Sequence, residues 1–210
     1  MKVIELFERY AKEYDEWFEK YDKVYKSELH AVKKLIGKGI GLEIGAGTGR
    51  LGVPLGVKYG VEPAYNMAKI AYKRGMKICI AKGENLPFKN STFDFVLIIV
   101  TICFVKQPES LIKEAKRVLK DDGKIIIGFI DKESFLGKFY SRKKSKFYKY
   151  AKFYSTEEVI EMLSKFDFCD FEFYQTIFDL PQNIKEIEPV KKGYGEGGFV
   201  VIAATNKYDR

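Results

Sequence analysis

Histidine is almost absent from this sequence: His30 stands alone, in a lysine-rich stretch. A zinc site or a Ser-His-Asp triad has little to be built from in such a chain, and His30 itself reads as an ordinary surface or half-buried residue. Cysteine is scarce too. Cys79, Cys103 and Cys169 lie far apart, two of them inside apolar runs, which fits neither a disulfide framework nor metal-ligand spacing. No metal is expected. No apolar run approaches the ~20 residues that span a bilayer, and Met1-Lys2-Val3-Ile4-Glu5-Leu6 mixes charge into its apolar positions, unlike a signal peptide. The expected location is cytoplasmic. Acidic residues are outnumbered, 29 against 37 Lys and Arg, for a net charge of +8. That balance permits nucleic acid, anionic lipid or an acidic small molecule as partner and demands none of them.

What is present suits one α/β domain with a sizeable core, the chain being 210 residues long. Residues 3–36 read as two helices: Val3, Leu6, Phe7, Tyr10, Tyr14, Trp17 and Phe18 recur at helical spacing. Ser27 is a candidate N-cap for the second helix, which Gly37 and Gly39 end. From residue 40 the texture changes. Candidate strands at 40–44, 59–62, 76–81, 93–100 and 123–130 alternate with candidate helices at about 48–57, 64–74 and 109–119. The runs at 93–100 and 125–127 are nearly unbroken in their apolar character, the mark of parallel strands covered by helices on both faces. A doubly wound sheet is the expected result. Ser155 and Glu158 have capping-box spacing. Two last strands, 169–178 and 198–205, are separated by a Pro/Gly-rich connection too long for a tight hairpin turn.

One turn carries a chemical signal. The strand ending at Ile44 runs into Gly45-Ala46-Gly47-Thr48-Gly49-Arg50, where glycines permit a sharp turn and bring a ligand against bare backbone. The following N–H groups would be oriented toward it. Arg50 occupies the position where a dinucleotide fingerprint needs its last glycine, and the Gly-Lys-Ser/Thr of a phosphate-binding P-loop is missing. A purely structural turn is the alternative. Glu62, in Gly60-Val61-Glu62-Pro63, ends the second strand, where a carboxylate can accept two hydrogen bonds from a ribose diol. Further along come Gly83-Glu84-Asn85-Leu86-Pro87-Phe88 with Ser91-Thr92-Phe93-Asp94, and then Val118-Leu119-Lys120-Asp121-Asp122-Gly123.

In this order and spacing the four segments resemble class I S-adenosylmethionine (SAM) dependent methyltransferases, and 83–96 resembles the ubiquinone- and menaquinone-pathway branch. The resemblance is good over about 40–130. It implies a Rossmann-like class I methyltransferase fold: a mostly parallel seven-stranded sheet, order 3-2-1-4-5-7-6, with helices on both faces. It also implies SAM as cofactor and S-adenosylhomocysteine as product, with no metal. By resemblance Glu43, Gly45, Ala46, Gly47 and Gly49 would form the first wall of the cofactor site. Glu62, Pro63 and Met67 would form the ribose side. Gly83, Glu84 and Leu86 would flank the adenine, and Val100 and Thr101 would close the site after the fourth strand. The family often has Asp where this chain has Lys82, so the adenine contact would pass to Glu84 or to backbone alone. The turn at 118–124 would be structural.

Ligands of an open parallel sheet sit outside the carboxyl ends of its strands. An N-terminal helical lid (1–38), a SAM-binding domain (39–210) and lid segments near 131–153 and 179–197 are therefore expected. A Tyr-Asp like Tyr14-Asp15 lies beside the methionine end of the cofactor in related methyltransferases, which makes Tyr14 and Trp17 candidate substrate contacts; an aromatic core stripe is the other reading. Segment 134–153 interleaves Lys138, Arg142, Lys143, Lys144, Lys146, Lys149 and Lys152 with aromatics including Tyr140. Basic charge plus stacking surface suits RNA, an acidic small substrate or an anionic membrane, and equally a solvated basic helix with its aromatics on the core. Tyr194 and Glu196, in the 179–197 connection, are further substrate candidates.

The expected function is methyl transfer to a small-molecule acceptor, with an RNA-directed enzyme or a non-catalytic SAM-binding module as alternatives. Against RNA, Val100-Thr101-Ile102-Cys103 stands where many amino-methylating nucleic-acid enzymes carry Asn/Asp-Pro-Pro-Tyr/Phe. Catalysis would rest mainly on proximity, assisted by Tyr14 or Tyr194. The chain would act as a monomer or homodimer.

Overall fold

The long apolar runs become the central strands for a reason visible in their two faces. In β4 (Phe93–Ile99), Val96 and Ile98 enter one core, and Phe95, Leu97 and Ile99 enter another. β5 (Leu119–Ile130) divides Ile125 and Ile127 from Ile126 in the same way. Period-two alternation with both faces apolar is what a strand covered by helices on each side requires. The structure is a computed structural model, described for residues 2–143 and 145–207.

Around these strands stand β1 (Gly41–Ile44), β2 (Tyr59–Val61), β3 (Lys77–Cys79), β6 (Phe168–Thr176), β7 (Lys191–Lys192) and β8 (Phe199–Asn206). The sheet order is β3-β2-β1-β4-β5-β8-β6-β7. β1 to β5 run parallel, and β8, β6 and β7 pair antiparallel. This is the expected Rossmann-like order with one addition. β7 is a two-residue edge strand within the long connection, paired to Tyr174 and Gln175. One face is covered by α5 (Pro108–Val118) and α7 (Thr156–Ser164), the latter opened by the Ser155–Glu158 capping box. The other face holds α3 (Asp22–Lys33) and α6 (Phe135–Arg142). α4 (Tyr65–Lys73) connects β2 to β3.

Three expectations are corrected. The N-terminus forms three helices, not two: α1 (Lys2–Arg9), α2 (Ala11–Lys20) and α3, with breaks at Tyr10 and Tyr21. Ser27 is no cap. It is buried inside α3, donating to the Lys23 carbonyl at 2.7 Å and accepting from the Glu188 N–H at 2.9 Å. Val24, Ala31, Val32 and Leu35 belong to the core under the sheet, so only α1 and α2 of the first 38 residues stand over the strand ends. Finally, 48–57 is not an α-helix. It holds a single 3-10 turn, Val53–Leu55, with Pro54 near its start and Gly56 in the left-handed region behind it. Proline removes an interior donor and the left-handed glycine stops the turn.

Candidate cofactor and acceptor site

The loops after β1, β2 and β4, the 82–88 segment and α1 enclose a cavity of about 990 Å³, counting the space open at its mouth. Gly45, Gly47 and Gly49 all have positive φ, at 70°, 55° and 77°. Their reasons differ. A Cβ on Gly45 would collide with the Thr101 side chain, and one on Gly49 would press on Ala71 at 3.3 Å. A Cβ on Gly47 would meet nothing nearer than Met67 Cε at 3.5 Å. Two glycines allow packing, therefore, and Gly47 leaves room in the cavity.

Glu62 is the acid of this site. It is 7% exposed. Its Oε2 accepts from the Gly47 N–H at 2.9 Å and its Oε1 from the Ala64 N–H at 2.8 Å. A carboxylate has about four acceptor positions, so each oxygen retains one for a ligand hydroxyl. Burial pushes the carboxyl up to about 7, against the lowering effect of the two N–H groups.

The far wall is held by a network that joins the 83–88 segment to α5. Glu114 of α5 accepts from the Leu86 N–H at 2.7 Å. Arg117 donates to the carbonyls of Phe88 and Leu86 at 2.7 and 3.0 Å and pairs with Glu114. Leu86 is buried as the anchor, and Gly83 then lies flush against α5 and β1. A Cβ there would run into Leu111 and stand 2.6 Å from Ile44 Cγ2.

α1 and α2 close the top. Val3, Ile4 and Phe7 line the cavity, and α1 is docked by Glu8, which accepts from the Asn66 N–H at the start of α4 at 3.0 Å. α2 is clamped to the glycine loop. Asp15 accepts from Arg50 Nε at 2.9 Å and Nη2 at 2.7 Å, and from Arg74 at 3.0 Å. Arg50 also reaches Glu19, and Arg74 donates to the Thr48 carbonyl. Burial opposes the Asp15 charge, but the arginine bonds outweigh it and hold the carboxyl down to about 2. Arg50, which rules out a dinucleotide fingerprint, is thus the residue that fastens the lid.

Beyond Tyr14 lies a second chamber of about 1750 Å³, again including its open mouth. Tyr14, Val100 and Phe104 border both spaces. Burial, then the carboxyls of Glu28 and Glu62, raise the Tyr14 hydroxyl well above its ordinary range, so it stays protonated. Val100 sits at φ 49°, an unfavourable conformation for a β-branched residue. Strain of this kind at a cavity wall is held in place by the surrounding fold.

Comparison with known proteins agrees with this geometry. Residues 42–127 match the methyltransferase domain model. An uncharacterized protein of Methanocaldococcus jannaschii is 55% identical over 201 residues, covering 95% of this chain and 98% of its own. The crystal structure of a Thermotoga maritima SAM-dependent methyltransferase, described as a possible histamine N-methyltransferase, has a TM-score of 0.95 at 51% identity. It covers 98% of this chain and 100% of that one. This chain belongs to the SAM-dependent methyltransferases. A Haloferax volcanii methyltransferase solved with its Trm112 activator shares the fold alone, with TM-score 0.75 at 14% identity over 99% of each chain.

In this methyltransferase the cavity wall contains Gly45, Gly47, Glu62, Pro63, Met67, Gly83, Glu84, Val100 and Thr101, together with Lys82 and Tyr14. Four expected wall residues lie behind it. Glu43 is 2% exposed and accepts from the Gly52 N–H at 3.1 Å, and burial pushes it up to about 8. It braces the loop from the opposite side of β1. Ala46 and Gly49 pack under the loop against Met76 and Ala71, and Leu86 is a core anchor.

Trp17 and Tyr140 line the second chamber. Tyr194 and Glu196 line neither space. Tyr194 packs on Phe173 at 5.0 Å between ring centres, and Glu196 pairs with Lys191 at 2.5 Å, because β7 pins this part of the connection to the sheet edge. From 179–197 only Pro181 and Gln182 reach the chamber. The basic segment also divides: Phe139, Tyr140, Phe147 and Tyr148 turn inward to the chamber, while Lys138, Arg142, Lys149 and Lys152 are exposed. Lys144 lies outside the described residues. Among those residues no helix is long and apolar enough to cross a membrane, and no group of three or more His, Cys, Asp or Glu is placed to hold a metal ion.

Proposed function

We propose that the protein transfers the methyl group of SAM to a small-molecule acceptor bound in the aromatic chamber. The observation that carries this reading is the shared border of the two spaces at Tyr14, Val100 and Phe104. A donor on one side and an acceptor on the other would meet there.

The residues present fit SAM. Glu62 has free acceptor positions for a ribose diol. Gly47 leaves space beside it, and Gly83 brings backbone flush to the wall opposite. Lys82, Gly83 and Glu84 border the end where an adenine would lie. When bound, SAM supplies a methyl group already activated by its sulfonium. The chain's own work is to orient and to exclude water. Phe7, Tyr14 and Phe104 form an aromatic roof in which Phe7 touches both other rings, lying 5.5 Å from Tyr14 and 5.1 Å from Phe104. The protonated Tyr14 hydroxyl would be available there as a hydrogen-bond donor to a ligand, and it is no base. Likeness of 83–88 to the quinone-pathway branch concerns the cofactor wall and carries no acceptor. An RNA acceptor is disfavoured because the ring faces it would stack on are turned into the chamber.

Calorimetric titration with SAM and with S-adenosylhomocysteine tests the reading. Binding of both in the micromolar range or tighter is expected, and binding of neither would remove it. Gly83→Ala is expected to weaken S-adenosylhomocysteine about tenfold, because the added methyl must push the loop into the cavity at an overpacking cost of ~1–3 kcal/mol. Gly37→Ala, where nothing lies within 4 Å of the new Cβ, should leave affinity unchanged.

A further inference from the structure

The acceptor chamber contains a residue that the methyl-donor site does not use. Glu28 of α3 is 6% exposed and lines the chamber, yet among the described residues its carboxyl has no hydrogen bond or ion pair. Buried carboxyls are normally paired, because an ionised one without a partner is costly. This one faces open space instead. Around the same space stand Trp17, Tyr21, Tyr140 and Tyr148. Trp17 and Tyr21 are 5.3 Å apart between ring centres, and Tyr140 and Tyr148 are 4.5 Å apart. Aromatic faces attract cations, most strongly where water is excluded.

Resting on the methyltransferase reading, we propose that the chamber takes as its acceptor a small organic amine that enters in cationic form. Its N–H groups donate to the Glu28 carboxylate, and the ring faces of the chamber flank its charge. Because an ammonium nitrogen has no lone pair, one of its protons would pass to that carboxylate before transfer, leaving the free amine to accept the methyl group. The lysines of the chamber do not reverse this preference. Lys146 is paired with Glu13 at 2.7 Å, and Lys20 and Lys143 lie over the rings of Tyr21 and Phe139. All three are exposed, where solvent and salt screen them. Burial pushes the Glu28 carboxyl up to about 8, so it ionises when a cation sits beside it, and in that enclosed place the paired charge acts at lower dielectric and counts several times more. An anionic acceptor would meet that carboxylate, and a neutral alcohol would leave it without a cation.

The test is calorimetry on the full chain with three probes of one shape: 2-phenylethylamine, 2-phenylethanol and phenylacetate, each titrated with and without saturating S-adenosylhomocysteine. The amine is expected to bind about tenfold or more tighter than the alcohol, with phenylacetate weakest. In Glu28→Gln the amine should weaken about tenfold while the alcohol changes little. S-adenosylhomocysteine affinity in that variant should stay within about twofold, since Glu28 lies outside the cofactor cavity, and that binding also reports that the variant is folded. Trp17→Leu should weaken the amine more than the alcohol by removing a ring face. Equal binding of amine and alcohol, or an amine affinity indifferent to Glu28→Gln, would overturn the proposal. Amine preference without any S-adenosylhomocysteine binding would overturn the methyltransferase reading and leave the amine site standing.

Discussion

Replacing Glu62 with alanine is expected to weaken S-adenosylhomocysteine binding about 100-fold or more. Two losses add. The ligand's ribose hydroxyls lose a charged acceptor, and hydrogen bonds to charged groups contribute roughly 1.5–3 kcal/mol each. The Gly47 N–H also loses its partner, so the loop is no longer held in its binding shape. Glu62→Gln recovers little, because an amide has one acceptor oxygen and its NH₂ would face an N–H donor. The carboxyl stands at about 7, raised by burial, and protonation removes acceptor capacity. Wild-type affinity should therefore fall as pH drops below about 7, and Glu62→Ala should lack that slope. Stability runs the other way. A folded value above the ordinary 4.5 means the Glu62 contribution to the cofactor-free protein is full below that value and is lost as pH rises through about 7. Cofactor binding offsets that loss where the enzyme would work. Titrations between pH 5.5 and 8.5 with both proteins decide it, and a drop under about threefold in Glu62→Ala would deny Glu62 the ribose.

Glu62 and Glu43 look alike in the sequence, each an acid near the carboxyl end of a strand. What separates them is the strand pleat. Leu42 and Ile44 face the core under α5 and α7, so Glu43 between them points to the opposite face and meets Gly52. Register relative to a loop is a property of the assembled sheet, and no local pattern carries it. The glycines, Glu62 and the 83–88 segment were legible because each answers to a backbone or ligand constraint at one place in the chain. Arg50 was not, since its partner Asp15 is distant in sequence and on another helix. Glu28 gave still less signal: a glutamate on a lysine-rich helix reads as a solvated face until the helix is seen to pack on the sheet. Tyr194 shows the opposite error. A glycine-rich connection suggests mobility, but its two-residue β7 pairing fixes it at the sheet edge, where Tyr194 lines neither cavity.

Asp15→Ala should show the largest loss of stability among the lid residues, about 2–3 kcal/mol, or roughly 5–10 °C in Tm for a domain of this size. A fully buried pair would cost more when broken; the side chains of Asp15 and Arg50 each keep 17% exposure, which discounts the figure. The sign with pH follows from the depressed carboxyl. Held near 2 against an ordinary 3.8, Asp15 contributes fully above 3.8, and the contribution disappears as pH falls through about 2. The difference in unfolding free energy between wild type and Asp15→Asn should therefore be constant from pH 5 upward and close to zero at pH 2. The same clamp has a functional reading, because Asp15 is the neighbour of Tyr14, which borders both cavities. Freed from Arg50 and Arg74, α2 would no longer hold Tyr14 at that border. S-adenosylhomocysteine affinity should then fall about tenfold alongside the stability, and Arg50→Lys, which keeps the charge but not the two-pronged geometry, should lose part of both. Lost stability with unchanged affinity would make the clamp a fastening for the N-terminus alone and leave Tyr14 positioned by its ring contacts with Phe7, Phe18 and Phe147.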